Sequence, residues 1–205
     1  MEFTALQSQL NPHFLFNTLE TINWKAISIT HKPSVLNTMV ENLADILKYS
    51  LDGHHRMVIL QMEIKYTKSY IDIQKVRYAD QFQLIWEYNE EVHKYHVMKL
   101  ILQPLIENSL YHGIREKGTP GLIKIKIRII QSHLTLSIID NGLGMKPEKL
   151  SELRANLDKN YEKSKHIGLY NTHKRLKLTY GEQYGVVVRS KFGWGTAVHI
   201  SIPIH

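Results

Sequence analysis

The sequence predicts an α+β protein in which an N-terminal helical hairpin precedes an α/β sandwich, a mixed sheet covered by helices. Apolar residues recur at three- and four-residue steps as far as residue 51, residues 122–129 alternate apolar and basic side chains, and strand and helix patterns then continue to the C-terminus. At 205 residues the chain is long enough for one large or two small domains. The polar, turn-rich residues 51–56 predict a boundary, with the hairpin at residues 1–56 and the sandwich at residues 57–205.

The first helix is predicted from Thr4 to about Ile29, and Pro12 interrupts it. Either Asn11 caps a helix that starts at Pro12, or Pro12 kinks a continuous helix by removing the bond to the Ser8 carbonyl. The kink is favoured because the apolar stripe continues through the proline. This stripe comprises Leu6, Leu10, Phe14, Leu15, Leu19, Ile22 and Ala26.

The second helix is predicted to open at Ser34 or Asn37, after Pro33 ends the first, and to run to about Leu51. Its apolar positions are Val35, Met39, Leu43, Ile46 and Leu47. A hairpin of two helices cannot bury such a stripe alone. Two copies are therefore expected to form a homodimeric four-helix bundle, and the alternative is that the hairpin packs on its own C-terminal domain.

The predicted second domain begins with a helix and a strand, and its central strand has one buried face because apolar and basic residues alternate along it. A second strand after the Ser132-His133 turn is expected to pair with it antiparallel, and residues 158–166 are expected to be polar and irregular. The predicted helices are Gln61–Tyr78, Met98–His112, Pro147–Leu157 and Gly168–Tyr180. The predicted strands are Phe82–Tyr88, Leu122–Ile129, His133–Ile139, Val186–Ser190 and Thr196–Ile202.

Composition excludes several classes of protein. No stretch approaches the ~20 apolar residues that cross a bilayer, and the absence of cysteine excludes disulfides and thiolate chemistry. The net charge of +7 is dispersed, so we assign it first to solvated surface, then to an acidic partner or ATP, with nucleic acid not expected. The helical pattern is already established by Phe3, so we expect an excised fragment whose sensor or membrane segments lie upstream.

A histidine lies in the predicted first helix, in the run Asn11-Pro12-His13-Phe14-Leu15-Phe16-Asn17. A neutral imidazole has a nucleophilic lone pair at physiological pH, so His13 can accept a phosphoryl group. Asn17 lies one helical turn further on the same face. A histidine alone is usually an ordinary surface or core residue, so the interpretation depends on motifs elsewhere in the chain.

The second motif is Asp140-Asn141-Gly142-Leu143-Gly144, where a predicted strand ends in a loop. A carboxylate there can accept a hydrogen bond from an exocyclic amine, and the glycines allow close backbone approaches. Asn108 and His112 precede it on one predicted helical face. An amide oxygen suits Mg²⁺, and an imidazole can donate to a phosphate. Without Asn108 and His112, the glycine motif fits a tight turn equally well.

The run around His13 resembles the phosphorylation box of the LytS/YesM-like sensor histidine kinases. The later motifs resemble the N and G1 boxes of the Bergerat-type ATP fold shared by gyrase, MutL and histidine kinases, and residues 167–171 resemble its second glycine box. The resemblance implies that Asn108 holds Mg²⁺, that His112 contacts phosphate and that Asp140 reads the adenine amine. It further implies pocket or supporting roles for Gly142, Gly144, Gly168, Leu169 and Thr196, with Thr196 supporting Asp140 or a water.

The implied protein is the cytoplasmic catalytic region of a two-component sensor histidine kinase. It would use ATP and Mg²⁺ to phosphorylate His13 within a homodimer and pass the group to an aspartate of a response regulator. The full-length protein would lie in the cell membrane, held only by segments outside this chain. Glu107, next to Asn108, is a candidate to orient the imidazole. Asn17 stands where other histidine kinases carry a Thr or Asn associated with phosphatase activity.

Two residues depart from the family pattern. His166 stands where many relatives have glycine at the end of the ATP lid, so lid closure is expected to be altered. Pro104 occupies the position of the glutamate of ATP hydrolases, which favours transfer to a protein acceptor over hydrolysis. The alternatives are a non-enzymatic dimeric signalling module with a degenerate nucleotide site and a Bergerat-fold serine kinase.

Overall fold

The computed structural model describes residues 12–52, 56–157 and 167–204. The chain divides into two compact units, Met1–His55 with Lys65–Arg77, and Arg56–Ile64 with Tyr78–His205. The domain boundary between residues 56 and 57 stays a prediction, and this division differs from it by grouping Lys65–Arg77 with the first unit.

The first unit contains the helices α1 (Pro12–Thr30) and α2 (Val35–Leu51) and much of α3 (Leu60–Tyr78). Asn37 is buried and connects α1 to the start of α2: its Nδ2 donates to Asn23 Oδ1 at 2.7 Å, and its Oδ1 accepts from the Ser34 amide at 2.9 Å. Ser34 is the N-cap residue, one of the two openings predicted for this helix. The Tyr49 and Tyr66 rings stack with centroids 4.1 Å apart.

The second unit is built on a five-stranded mixed sheet. Its strands are β2 (Phe82–Glu87), β4 (Gly121–Ile130), β5 (His133–Asp140), β6 (Val186–Lys191) and β7 (Gly195–Pro203). They lie in the order β2-β4-β5-β7-β6, with β2 parallel to β4 and the other neighbouring strands antiparallel. A separate two-stranded sheet joins β1 (Met57–Ile59) and β3 (His96–Met98).

Helical segments pack against the sheet and bury one of its faces. The α-helix α4 (Gln103–Asn108) continues into a π-helical turn (Ser109–Ile114) and a short helix α5 (Arg115–Lys117). The π-helical turn contacts β4, β5 and β7, while α6 (Pro147–Leu157) and α7 (Ile167–Tyr180) contact β6. Alternate residues of the strands form the core, including Ile123, Ile125, Ile127, Leu134, Leu136, Ile138, Val198, Ile200 and Ile202.

These elements confirm the predicted fold class and most predicted elements, with one clear error. The helix predicted from Met98 was wrong at its start, because Met98 ends β3 and α4 begins only at Gln103. Leu100 has φ of 57°, a conformation that no α-helix accommodates, and Pro104 lies in the first turn of α4, where proline is tolerated. The helix before Pro12 and the polar stretch of residues 158–166, with His166, lie outside the described residues.

Candidate nucleotide and phosphoacceptor sites

The Asp140 side chain lies at the end of β5 and is 4% exposed. Its Oδ1 accepts hydrogen bonds from the backbone amides of Gly142 at 2.9 Å and Thr196 at 3.1 Å. Its Oδ2 is buried and has no hydrogen-bond partner among the residues that the structure describes. One oxygen is thus fixed by the backbone, and the other can receive a donor from outside the protein.

Burial raises the pKa of the Asp140 carboxyl above its ordinary value. The Gly142 amide, the nearby Ser109 hydroxyl and the Thr196 amide lower this pKa, as does the positive charge of Lys117. Ser109 Oγ is itself buried without a hydrogen bond of normal geometry in the described structure. The carboxylate is therefore held by donors that only partly offset its desolvation.

Glycine is required where the loop after Asp140 meets the π-helical turn. A Cβ atom on Gly142 would lie 2.3 Å from the carbonyl carbon of Gly113, and a Cβ on Gly113 would lie 2.8 Å from Asp140 Oδ1. The Leu143 amide donates to the Gly113 carbonyl at 2.9 Å. The helical motif that ends at Gly113 and the loop motif that begins at Asp140 are therefore in direct contact, because residues 113 and 142 carry no side chains.

The hairpin between β6 and β7 also packs against the loop that follows Asp140. Gly144 has φ of 69°, and a Cβ there would lie 2.1 Å from the Lys191 carbonyl oxygen. Thr196 pairs with Asp140 in the β5–β7 register, so its backbone amide supports the carboxylate. Its hydroxyl instead forms a 2.9 Å hydrogen bond with the Ser190 hydroxyl.

A cavity of about 600 Å³ lies beside the helix of the first motif. Asn108 and His112 both line it, as expected for residues on one helical face, and Gly168 and Leu169 of α7 line it from the second glycine motif. Its lining also includes Pro104, Glu107, Tyr111, Arg115 and Glu116. The amide, imidazole and guanidinium groups of this cavity can bind phosphate oxygens and a metal ion.

Two hydrogen bonds orient side chains of this cavity. His112 Nδ1 lies 3.0 Å from Glu116 Oε1, and Glu107 Oε1 accepts from Gln103 Nε2 at 3.0 Å. Asp140, Gly142, Gly144 and Thr196 do not line this cavity. Asp140 and Gly142 lie against Gly113, the residue that follows His112. Among the described residues, no group of three or more His, Cys, Asp or Glu side chains could hold a metal ion.

His13 and Asn17 lie one turn apart near the start of α1, and both are exposed. Asn17 Nδ2 lies 3.2 Å from His13 Nδ1, as the shared helical face predicted. Both residues belong to the first compact unit. No helix in the described part of the chain combines the length and apolar character needed to cross a membrane.

Sequence reasoning singled out Asp140 and the two glycines after it but gave no role to Gly113, Ser109 or Glu116. Gly113 could have been found from its position directly after His112, since a glycine there marks a close approach of another chain segment. The contact of Glu116 with His112 follows the four-residue spacing of a helix. Ser109 carries no signal in the sequence, because only the tertiary fold places it near Asp140.

Comparison with known proteins gives a consistent result. A family model described as histidine kinase matches residues 1–82, and one described as histidine kinase-, DNA gyrase B-, and HSP90-like ATPase matches residues 96–205. The sensor protein kinase HptS of Staphylococcus aureus is 34% identical over 205 residues, which is 100% of this chain and 38% of that protein. The chain thus spans well under half the length of the curated relatives it matches.

Solved structures share the fold. The histidine kinase domain of a blue-light activated histidine kinase from Erythrobacter litoralis has a TM-score of 0.52 and 15% identity, over 98% of this chain and 90% of that chain. The catalytic domain of histidine kinase ThkA has a TM-score of 0.54 and 16% identity, over 72% of this chain and 94% of that chain.

Proposed function

The chain belongs to the histidine kinase family and carries its ATP-binding domain, and from this premise we propose that it transfers the γ-phosphoryl group of ATP to its own His13. The observation that carries the proposal is the carboxyl group of Asp140. Its Oδ1 is fixed by two amides, and its Oδ2 is buried without a partner in the described structure. A single amine donor, such as that of adenine, satisfies this arrangement.

The residues present fit an adenine nucleotide with Mg²⁺. The cavity beside α4 offers Asn108 as an oxygen ligand for the ion, which otherwise prefers waters and phosphate oxygens. His112 and Arg115 line the same cavity and can donate to phosphates. When bound, Mg²⁺ supplies charge neutralisation, so the chain itself has to position and orient the reactants.

An imidazole nitrogen of His13 attacks the γ-phosphorus of ATP, forming an N–P bond. The bond from phosphorus to the bridging oxygen breaks, and its electron pair leaves with ADP. His13 needs no strong base because the neutral imidazole is already a nucleophile. Glu107, in the cavity beside Asn108, is the residue that we propose orients the incoming imidazole.

The exposed apolar side chains of the helical hairpin support a homodimer. No residue of α1 is buried, and Phe14, Ile22, Val35 and Leu43 of the predicted stripe are 65%, 48%, 61% and 41% exposed. A second copy would cover them in a four-helix bundle. We further propose that the phosphoryl group passes to an aspartate of a response regulator, and that the full-length protein holds this region on the cytoplasmic side of the membrane.

The proposal is tested by incubating the chain with γ-labelled ATP and treating the product with acid or alkali. We expect an acid-labile, alkali-stable label, as phosphohistidine requires, and loss of that label in His13→Gln with ATP affinity kept within a few-fold. His96→Gln, at an exposed histidine of β3, is the matched control and should label normally.

Other outcomes favour other functions. Undiminished labelling of His13→Gln would exclude His13 as the acceptor. An acid-stable label on a partner protein would favour a serine kinase of the same fold. Weak or absent ATP binding, without any label, would favour a non-enzymatic signalling module with a degenerate nucleotide site.

A further inference from the structure

Lys117 connects the end of the first nucleotide motif to the loop of the second. It is the last residue of α5, and its Nζ donates a 2.8 Å hydrogen bond to the backbone carbonyl oxygen of Asn141, the residue after Asp140. Asn141 is also anchored to β4, because its Oδ1 accepts from the Leu122 amide at 2.7 Å. The ammonium group of Lys117 is therefore held against the chain segment that carries the Asp140 carboxylate.

Lys117 contributes a full charge to the surroundings of the Asp140 carboxyl. Burial raises the pKa of this carboxyl, and groups from four segments around it lower the pKa. These groups are the Gly142 amide of its own loop, the Ser109 hydroxyl of the π-helical turn, the Thr196 amide of β7 and the ammonium of Lys117 at the end of α5. On the side of β4, Asp140 pairs with the apolar residue Ile123. The amides and the hydroxyl are neutral dipoles, so Lys117 is the group in this set that favours the carboxylate by its charge.

The protonation state of Asp140 decides what its buried oxygen can bind. Oδ1 accepts hydrogen bonds from two backbone amides, so a proton taken up by the carboxyl goes to Oδ2. Oδ2 has no hydrogen-bond partner in the described structure and is the atom that we assign to the adenine amine. The ionised oxygen accepts a hydrogen bond from that amine. The protonated oxygen turns its own O–H towards the amine, so that two donors face each other.

We propose that Lys117 is a positioning residue of the nucleotide site, which holds the loop after Asp140 and keeps the carboxylate ionised, so that Oδ2 accepts the amine of adenine. This inference rests on the proposed function and deepens it, because it concerns base recognition in the same site. Lys117 acts through Asn141 and Asp140 and does not have to touch the nucleotide. The preference for an amine-bearing base then depends on pH, and Lys117 sets the pH at which it is lost.

The test compares Lys117→Met with Lys117→Arg in the whole 205-residue chain. Methionine keeps an unbranched, flexible side chain without the charge, whereas arginine keeps both the charge and a donor for the Asn141 carbonyl. Lys149→Met, at an exposed lysine of α6, is the matched control for the loss of one positive charge. Calorimetry measures the affinities for ATP and for inosine triphosphate from about pH 5 to about pH 8, across the range in which a raised carboxyl pKa titrates. Inosine triphosphate has a keto oxygen in place of the amine, so it reports binding of the ribose and phosphates alone.

We expect the wild type, Lys117→Arg and Lys149→Met to prefer ATP at neutral pH and to lose this preference together as pH falls. Lys117→Met should lose it at a higher pH, because Asp140 takes up its proton more readily without the nearby charge. At the pH where the wild type keeps half of its preference, the ratio of ATP to inosine triphosphate affinity should be roughly two- to fivefold lower in Lys117→Met. Carbon NMR of protein labelled with ¹³C-aspartate follows the same proton without any nucleotide, with the Asp140 signal identified by its loss in Asp140→Asn.

A merely structural role for Lys117 would lower the melting temperature and weaken both nucleotides equally at every pH. That pattern overturns the inference, as does an Asp140 titration in Lys117→Met that matches the wild type, or one in Lys117→Arg that matches Lys117→Met. Failure of the proposed function has a different signature. In that case the wild type is not labelled on His13, yet the NMR titration still decides whether Lys117 controls the charge of Asp140.

Discussion

Asp140 presents a buried carboxylate whose two oxygens have different environments. In the nucleotide-free protein, burial raises its pKa because the charged form has lost water that Gly142 and Thr196 only partly replace. A folded-state pKa above the unfolded value stabilises the fold at low pH, and that contribution is lost as pH rises through the folded pKa. We therefore expect the fold to be less stable at a pH above the folded-state pKa of Asp140 than at a pH below it.

Asp140→Asn should separate the effect of the carboxylate on the stability of the fold from its effect on nucleotide affinity. The neutral amide removes the buried charge, so we expect a higher melting temperature than wild type without nucleotide at pH 7, with the difference shrinking as pH falls through the carboxyl range. Affinity for a fluorescent ATP analogue should drop roughly ten- to more than a hundredfold, because the proposed charged acceptor of the adenine amine is lost.

The control for this comparison is Glu152→Gln, which removes one exposed carboxylate from the middle of α6. This control should change neither the melting temperature nor the affinity for the ATP analogue appreciably. Unchanged nucleotide affinity in Asp140→Asn would exclude Asp140 from the pocket, and a lower melting temperature would show that its charge stabilises the fold.

Single residues also show how far the sequence predicts the site. Asp140, Gly142 and Asn108 could be singled out as candidates because the chemistry that suggests them is local to short motifs. The hydrogen bond from the Thr196 backbone amide to the Asp140 carboxylate could not be predicted, because the two residues meet only through the register of β5 and β7. The amide is common to all residues except proline, so nothing in the side chain signals it.

At the scale of elements, the segment of residues 99–102 positions α4 and with it Asn108. Buried Glu63 in α3 accepts hydrogen bonds from the amides of Leu100 at 2.9 Å, Ile101 at 2.8 Å and Leu102 at 2.9 Å. From the other side, Arg175 of α7 donates to the carbonyl oxygens of residues 99 and 100. One carboxylate thus satisfies the amides just before a helix that lines the cavity.

Glu63→Gln should weaken this support. The amide keeps the shape of the side chain but presents an N–H group to backbone donors, so we expect a loss of about 1–3 kcal/mol in the free energy of unfolding. Nucleotide affinity should fall several-fold as α4 loosens. Asp72→Asn, at an exposed carboxylate of the same helix, is the control, and denaturant unfolding with nucleotide titration measures both effects. Equal stability in the two variants would contradict the role of Glu63.

The elements that sequence patterns predicted are those long enough to show a period. The alternation of Ile123, Ile125 and Ile127 predicts β4, and β5 follows from its turn. β1 and β3 have three residues each, which is too short for alternation to be recognised. The π-helical turn also escaped prediction, because it depends on packing against β4, β5 and β7 rather than on local propensity.

At the scale of the whole molecule, the exposed stripe of the hairpin predicts the oligomeric state. Ile22→Glu combined with Leu43→Glu should place charges in the proposed bundle core, and we expect the dimer dissociation constant to rise at least about tenfold, since burying one unpaired charge costs more than 1.4 kcal/mol. Light scattering after gel filtration measures the mass. Ser28→Glu, at an exposed polar position of α1, is the control. A wild type that is monomeric at all concentrations would contradict the bundle.

The pairing of Asp140 with Thr196 joins positions 56 residues apart in the chain. Such a contact closes late, because the entropy of a long loop has to be lost before the pair is gained. During synthesis, the strand with Asp140 leaves the ribosome before the strand that supports its carboxylate. The nascent chain therefore cannot complete the proposed adenine pocket until β7 has emerged, so premature termination anywhere before β7 should release a product that does not bind nucleotide.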